Sequence, residues 1–220
     1  MTGGGTVHVA CGELAALLQH APRPPDWLSP SERNRLATMR TASRRDQFIA
    51  ARWQARRLLA QVQGGEPFDW PLTAPPDAPP GVGHDPVIHV SVSHSGHRIA
   101  CAVAEVPIGL DLEAPRRQRD ISGLIDVCCT PAEHALFVDA DADALFYELW
   151  TVKEAWLKRR REWIAPSRLR QLEARPGEGE LRAWRGDGWW LALCAGDAEV
   201  RWWTPEPAAS RTWQLTDLAA

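Results

Sequence analysis

The chain has 220 residues, 45% of them hydrophobic and 24% charged, and a formal net charge of −3. That composition belongs to a globular protein with ample core, built as one large domain or two small lobes. It excludes a bulk basic field that would recruit nucleic acid, and no apolar run approaches the ~18 residues of a membrane-spanning helix. Met1-Thr2-Gly3-Gly4-Gly5 lacks the charged and apolar regions of a signal peptide, so a cytoplasmic protein is expected. The cysteines Cys11, Cys101, Cys128, Cys129 and Cys194 are odd in number and show no C-x-x-C spacing. Reduced core thiols are expected rather than disulfides or a zinc site.

In chain order, Thr6 to Cys11 reads as a short strand and Glu13 to His20 as a short helix. Leu28-Ser29-Pro30-Ser31-Glu32 is a helix start, with Ser29 as cap, Pro30 in the first turn and Glu32 closing a capping box. A second helix is predicted from about Arg45 to Gln63, with Phe48, Ala51, Ala55, Leu58, Leu59 and Val62 on its apolar face. Arg44, Arg45, Arg52, Arg56 and Arg57 decorate it, and a solvated face is the ordinary reading of such residues. Gly64 to Pro86 holds seven prolines and four glycines and reads as an irregular connecting loop. Val87 to Ser93 alternates as a strand, Ser93-His94-Ser95-Gly96 turns it, and Ile99 to Val106 returns as a hairpin.

Pro107 to Glu113 alternates again, so Asp111 and Glu113 point to one side while Leu112 enters the core. Two like-charged carboxylates side by side repel unless a cation lies between them. Oxygen ligands alone suit a hard cation, Mg²⁺ above all, and Mg²⁺ commonly shares a phosphate ligand. Taken alone, Asp-x-Glu is a common surface feature. Thr130-Pro131-Ala132-Glu133 repeats the capping signal of the first half and precedes a long helix near Phe146. On that helix Tyr147, Thr151, Glu154, Lys158 and Arg161 share one face, and Leu145, Leu149, Val152 and Trp156 another. An exposed Glu154–Lys158 pair alone would mean little. Strands are predicted at Leu181 to Arg185, Trp189 to Cys194 and Glu199 to Thr204, all in the C-terminal half.

Three segments in order give the motifs their specificity: Ser93-His94-Ser95-Gly96, then Gly109-Leu110-Asp111-Leu112-Glu113, then Trp150-x-x-Lys153-Glu154-Ala155-x-x-Lys158. Together they resemble the signature of the 4′-phosphopantetheinyl transferase superfamily, in its two-lobed Sfp type, over roughly residues 28 to 165. The resemblance implies an α+β fold of two similar, pseudo-twofold-related lobes, each a small mainly antiparallel sheet with a long helix, with coenzyme A in the cleft between them. The lobes would be residues 1–106, including the loop 64–86, and residues 107–220.

The resemblance also implies Mg²⁺-dependent transfer of the phosphopantetheine arm of coenzyme A to a serine of an acyl or peptidyl carrier protein, releasing 3′,5′-adenosine diphosphate. Mn²⁺ is an alternative metal. By motif position, Asp111, Glu113 and Glu154 would bind the metal, with Glu154, Lys158 and Asp111 as the catalytic group. Arg45, Arg52, Ser93, His94, Lys153 and Lys158 would contact coenzyme A. Relatives often carry a lysine near the end of the proline-rich loop; Gly83-His84-Asp85-Pro86 offers none, leaving His84 as a substitute. Arg116, Arg117 and Arg119, followed by Ile121, Leu124 and Ile125, form either a surface loop or a dock for an acidic carrier. Two lobes in one chain imply a monomer without nucleic-acid or membrane partners. A Mg²⁺-dependent nucleotide or phosphoanhydride hydrolase, or a non-catalytic relative, is the alternative reading.

Overall fold

The computed structural model describes residues 5–23, 26–76, 78–115, 120–207 and 209–219. In chain order the elements open with β1 (Thr6–Glu13), α1 (Leu14–His20), α2 (Pro30–Ala37) and α3 (Ala42–Gln63). Then come β2 (Gly81–Val82), β3 (Asp85–Ser95), β4 (Arg98–Ala104) and β5 (Gly109–Glu113). They continue with α4 (Ile121–Cys128), α5 (Pro131–His134), α6 (Ala142–Arg160) and α7 (Pro166–Leu169). The chain closes with β6 (Leu172–Gly186), β7 (Trp189–Cys194), β8 (Glu199–Trp202) and β9 (Ala209–Asp217). They form two compact units: Met1–Ile108 with Asp197–Glu206, and Gly109–Gly196 with Pro207–Ala220.

In the first unit the strand order is β2-β3-β4-β1-β8. Helix α2 starts as its sequence dictates. The Ser29 side chain accepts from Glu32 N at 3.3 Å, and the Glu32 carboxylate accepts from Ser29 N at 2.8 Å. Helix α3 begins earlier than its apolar periodicity suggests, because Thr41 caps it by accepting from Arg44 N at 3.3 Å. Its Ala55, Leu58 and Leu59 pack with Val90, Cys101 and Val103 of the sheet. The proline-rich stretch is more ordered than expected. Leu72 is fully buried and bridges to Val82, and Pro67–Asp69 forms a 3₁₀ turn. The hairpin turn also lies later than expected. Ser93, His94 and Ser95 stay in β3, paired with Ala100, Ile99 and Arg98 of β4, and Gly96 turns at φ 58°.

Strand β8 corrects the assignment of the C-terminal strands. It does not join the second half's sheet but runs parallel to β1, with Thr6 opposite Glu199 and Val9 opposite Trp202. Cys11 N donates to Thr204 Oγ1 at 3.1 Å, and Trp203 Nε1 donates to His8 Nδ1 at 2.9 Å. A single division at 106/107 therefore leaves out the return of Asp197–Glu206 to the first unit.

The second unit carries the sheet β5-β7-β6-β9, antiparallel at every pairing. Helix α6 lies on it, with Phe146, Leu149, Val152, Ala155 and Trp156 in a core with Ala174, Leu181, Trp190, Ala192 and Trp213. The face expected to be polar is also covered: Tyr147 is 4% exposed and Thr151 fully buried. Tyr147 stacks on Trp190 at 5.0 Å. Strand β9 and helix α4 extend the elements expected from sequence; Asp120 caps α4 by accepting from Gly123 N at 3.2 Å. The fold is thus α+β, each unit a mainly antiparallel sheet packed by one long helix.

Candidate active site

Strand β5 is an edge strand hydrogen-bonded to β7. Alternation sets Gly109, Asp111 and Glu113 on one face. A Cβ built on Gly109 would lie 2.0 Å from the Ala155 carbonyl oxygen and 2.3 Å from Arg159 N. This row therefore faces α6, and the backbones of strand and helix meet where a side chain is missing. Two residues on, Asp111 Oδ1 lies 2.5 Å from Lys158 Nζ. Glu154, one turn before Lys158, faces the same cluster.

Glu154 has its pKa raised from 4.5 to about 8, first by burial and then by the charges of Asp111 and Glu113, while Lys158 and the Trp150 indole oppose the rise. Burial lowers the Lys158 pKa, but Asp111, Glu154 and Glu113 more than offset that and hold it charged. The structure thus brings Asp111, Glu113, Glu154 and Lys158 together. The donor chemistry, carboxylate oxygen only, fits a hard divalent cation. Among the described residues no three His, Cys, Asp or Glu side chains are spaced to hold a metal in this arrangement, in which Asp111 is turned to Lys158.

Two predictions arise from this geometry. Gly109→Ala places a Cβ inside contact distance of helix backbone, which cannot rotate away as a side chain could. Overpacking of this kind costs about 1–3 kcal/mol, and here the strand shift that relieves it carries Asp111 with it. Urea unfolding should show that loss. The second prediction is a pH dependence. A carboxyl whose folded pKa lies above its unfolded value contributes stability at low pH that is lost as the pH rises. Through Glu154 the metal-free protein should lose stability between about pH 4.5 and about pH 8. Thermal melts across that range should show a slope that Glu154→Gln removes; identical profiles would refute the assignment.

Lys153 does not reach this cluster. Its ammonium is buried, donating to Glu133 Oε2 at 2.6 Å and to the Cys128 carbonyl at 2.9 Å. Glu133 is the capping-box residue of α5, and it also accepts from Thr130 N and from Ala174 N of β6, each at 2.8 Å. The first unit has the same device: capping residue Glu32 accepts two bonds from Arg56 of α3, at 2.9 and 2.5 Å.

Of the first unit's expected phosphate contacts, Arg45 is exposed in the first turn of α3, where it donates to the Met39 carbonyl at 2.9 Å. Arg52 is turned inward, 3.7 Å from Glu32 and over the Phe48 ring, and burial lowers its pKa to about 10. Ser93 is 6% exposed and, by strand alternation, lies on the opposite face from His94. His94 shares its face with Val90 and Val92, which pack toward α3. His84 stacks against Trp70 at 5.2 Å. In the expected docking segment, Arg116, Arg117 and Arg119 lie outside the described residues. Ile121 is buried, and Leu124 and Ile125 pack against the second unit's core.

An edge strand and a helix thus present three carboxylates and a lysine, an oxygen-only donor set of the kind that suits a hard cation. Residues 107–209 match the family model described as the 4′-phosphopantetheinyl transferase superfamily. That match covers 103 of the 220 residues, just under half of the chain. The chain is 38% identical over 80 residues to a 4′-phosphopantetheinyl transferase of Bacillus subtilis, which covers 33% of each protein. It is 31% identical over 137 residues to the 4′-phosphopantetheinyl transferase HetI of a Nostoc species, covering 59% of this chain and 56% of that one. It is also 31% identical over 75 residues to the 4′-phosphopantetheinyl transferase gsp of Aneurinibacillus migulanus, covering 32% of this chain and 30% of that one. The matches thus span between about a third and just over half of these relatives' lengths. No helix among the described residues is long and apolar enough to cross a membrane.

Proposed function

We propose that this chain transfers the phosphopantetheine arm of coenzyme A to a serine of an acyl or peptidyl carrier protein, releasing 3′,5′-adenosine diphosphate. The observation that carries the reading is the convergence of Asp111, Glu113, Glu154 and Lys158 in the half that matches the superfamily. Asp111, Glu113 and Glu154 would hold Mg²⁺, or Mn²⁺ in its place, which when bound neutralises pyrophosphate charge and orients the phosphorus under attack.

The remaining work falls to this chain's side chains. Lys158 sets a positive charge beside the phosphates and donates a proton toward the leaving phosphate oxygen. Glu154 accepts the proton of the attacking serine hydroxyl, directly or through water, as the ionised carboxylate that a neighbouring cation favours. The barrier is lowered mainly by position and charge, as in phosphoryl transfers generally. The carrier, an acidic protein, is recognised near residues 116–125, and the enzyme acts as a cytoplasmic monomer.

The test is incubation of the full chain with Mg²⁺ and coenzyme A labelled in the pantetheine arm, with and without an apo carrier protein. Label should appear on the carrier serine only when all components are present. Consumption of coenzyme A without a carrier would replace this reading with phosphoanhydride hydrolysis.

A further inference from the structure

Two lysines of α6 lie five residues apart, and their surroundings differ. Lys153 is locked: its side chain is 2% exposed and it donates to two fixed acceptors, Glu133 and the Cys128 carbonyl. The Lys158 side chain is 25% exposed, while the Asp111 side chain it holds is 3% exposed. A carboxylate as buried as Asp111 requires a cation close by at all times. An ammonium 2.5 Å from Oδ1 occupies the ground on which a metal would bind that oxygen, because Mg²⁺–oxygen distances are about 2.0–2.1 Å and two cations would then sit in near contact. In the present arrangement Asp111 is turned to Nζ, and among the described residues no set of three is spaced for an ion.

We infer that Lys158 is an exchangeable cation: its ammonium neutralises Asp111 while the site holds no metal, and it yields that carboxylate to the divalent ion as it turns outward to the phosphate. This rests on the metal and phosphate reading of the site given above. One lysine then serves two states. It keeps the acids from repelling one another before the ligands arrive, and it is released toward the phosphates when the metal takes over. The metal alone must compete with Lys158, whereas metal with coenzyme A gives the displaced ammonium a new anionic partner. Binding of the two ligands is thereby coupled through one side chain.

The test uses Mn²⁺ alone, titrated into the full chain without coenzyme A, with free Mn²⁺ read by electron paramagnetic resonance. Lys158→Gln should bind Mn²⁺ at least about tenfold more tightly than wild type, a change of about 1.4 kcal/mol. Arg170→Gln, which removes one charge from an exposed position, should bind like wild type. Coenzyme A should then tighten Mn²⁺ binding more in wild type than in Lys158→Gln. Equal affinities, no binding to either protein, or the same gain in Arg170→Gln would overturn the inference.

A second measurement needs no variant. Acylation of Lys158 by a small amine-reactive ester, mapped by peptide mass, should speed up when Mn²⁺ is added and slow again when coenzyme A follows. An unchanged rate with Mn²⁺ would also overturn it. Neither readout depends on carrier modification. Failure of transfer with these shifts intact would therefore remove the transferase reading alone, and transfer without them would remove the exchange alone.

Discussion

Asp111→Ala should reduce phosphopantetheine transfer at millimolar Mg²⁺ by at least about a thousandfold, or roughly 4 kcal/mol of transition-state stabilisation. The size follows from what Asp111 is asked to do. It is the carboxylate that Lys158 holds, the charge that acts most strongly on Glu154, and the middle member of the β5 row that faces α6. Removing it deletes a metal ligand, frees Lys158 from its anchor and alters the charge around the proposed base. Glu154→Gln should cost as much in transfer while keeping the shape of the site. The two differ in stability. Asp111→Ala forfeits the ion pair with Lys158, so the metal-free protein should gain nothing. Glu154→Gln removes a group whose ionisation is opposed by burial and by two carboxylates, so near pH 8 its melting temperature should match or exceed wild type. Mg²⁺ with coenzyme A should raise the melting temperature of wild type by mass action, and do so far less in either variant. Glu178→Ala, at an exposed acid away from the site, is the control. Transfer at normal rate by Glu154→Gln would end the three-carboxylate site.

Much of the local structure was legible because it depends on neighbours in sequence. Both capping boxes, the apolar face of α3, the hairpin strands and the alternation of β5 are patterns over a few residues, and each forms largely as read. Strand partnership is another matter. Glu199 to Trp202 alternates like any half-buried strand, and nothing within those residues says that its partner is Thr6 to Val9, nearly the whole chain away. The acidic cluster was legible because its motif residues fall on two periodic elements whose faces can be counted. The role of Gly109 was not, since the sequence shows only a small residue before two acids. The reason for it is the backbone of Ala155 and Arg159 on the far side of the gap. Nor does a lysine's charge reveal whether it points to a ligand or into the core. Lys153 and Lys158 are alike in sequence, and what separates them is Glu133, which the capping motif marked without disclosing that its carboxylate has a second task.

That second task sets the other large effect. Lys153→Met should cost about 3–5 kcal/mol of folding stability, because it leaves the Glu133 carboxylate buried without its cation. Glu133 is 1% exposed and joins three parts of the second unit through Thr130 N, Ala174 N and Lys153. The ion pair ties α6 to the turn before α5 and to β6, and so sets the rotation of the helix that presents Glu154 and Lys158 to β5. Lys153→Met combined with Glu133→Gln should recover much of the loss. The amide still offers an oxygen to the backbone donors, and no charge is left buried. Urea unfolding of the single and double variants measures this directly. A phosphate ligand would behave in the opposite way: its loss would raise the KM for coenzyme A and leave the urea midpoint in place. Arg56→Met should repeat the result in the first unit, where Glu32 would lose the two bonds it accepts from α3. A matching loss in both units would mean that the capping glutamate and the long-helix cation are one fold device used twice, and that only the second copy has a catalytic cluster built beside it.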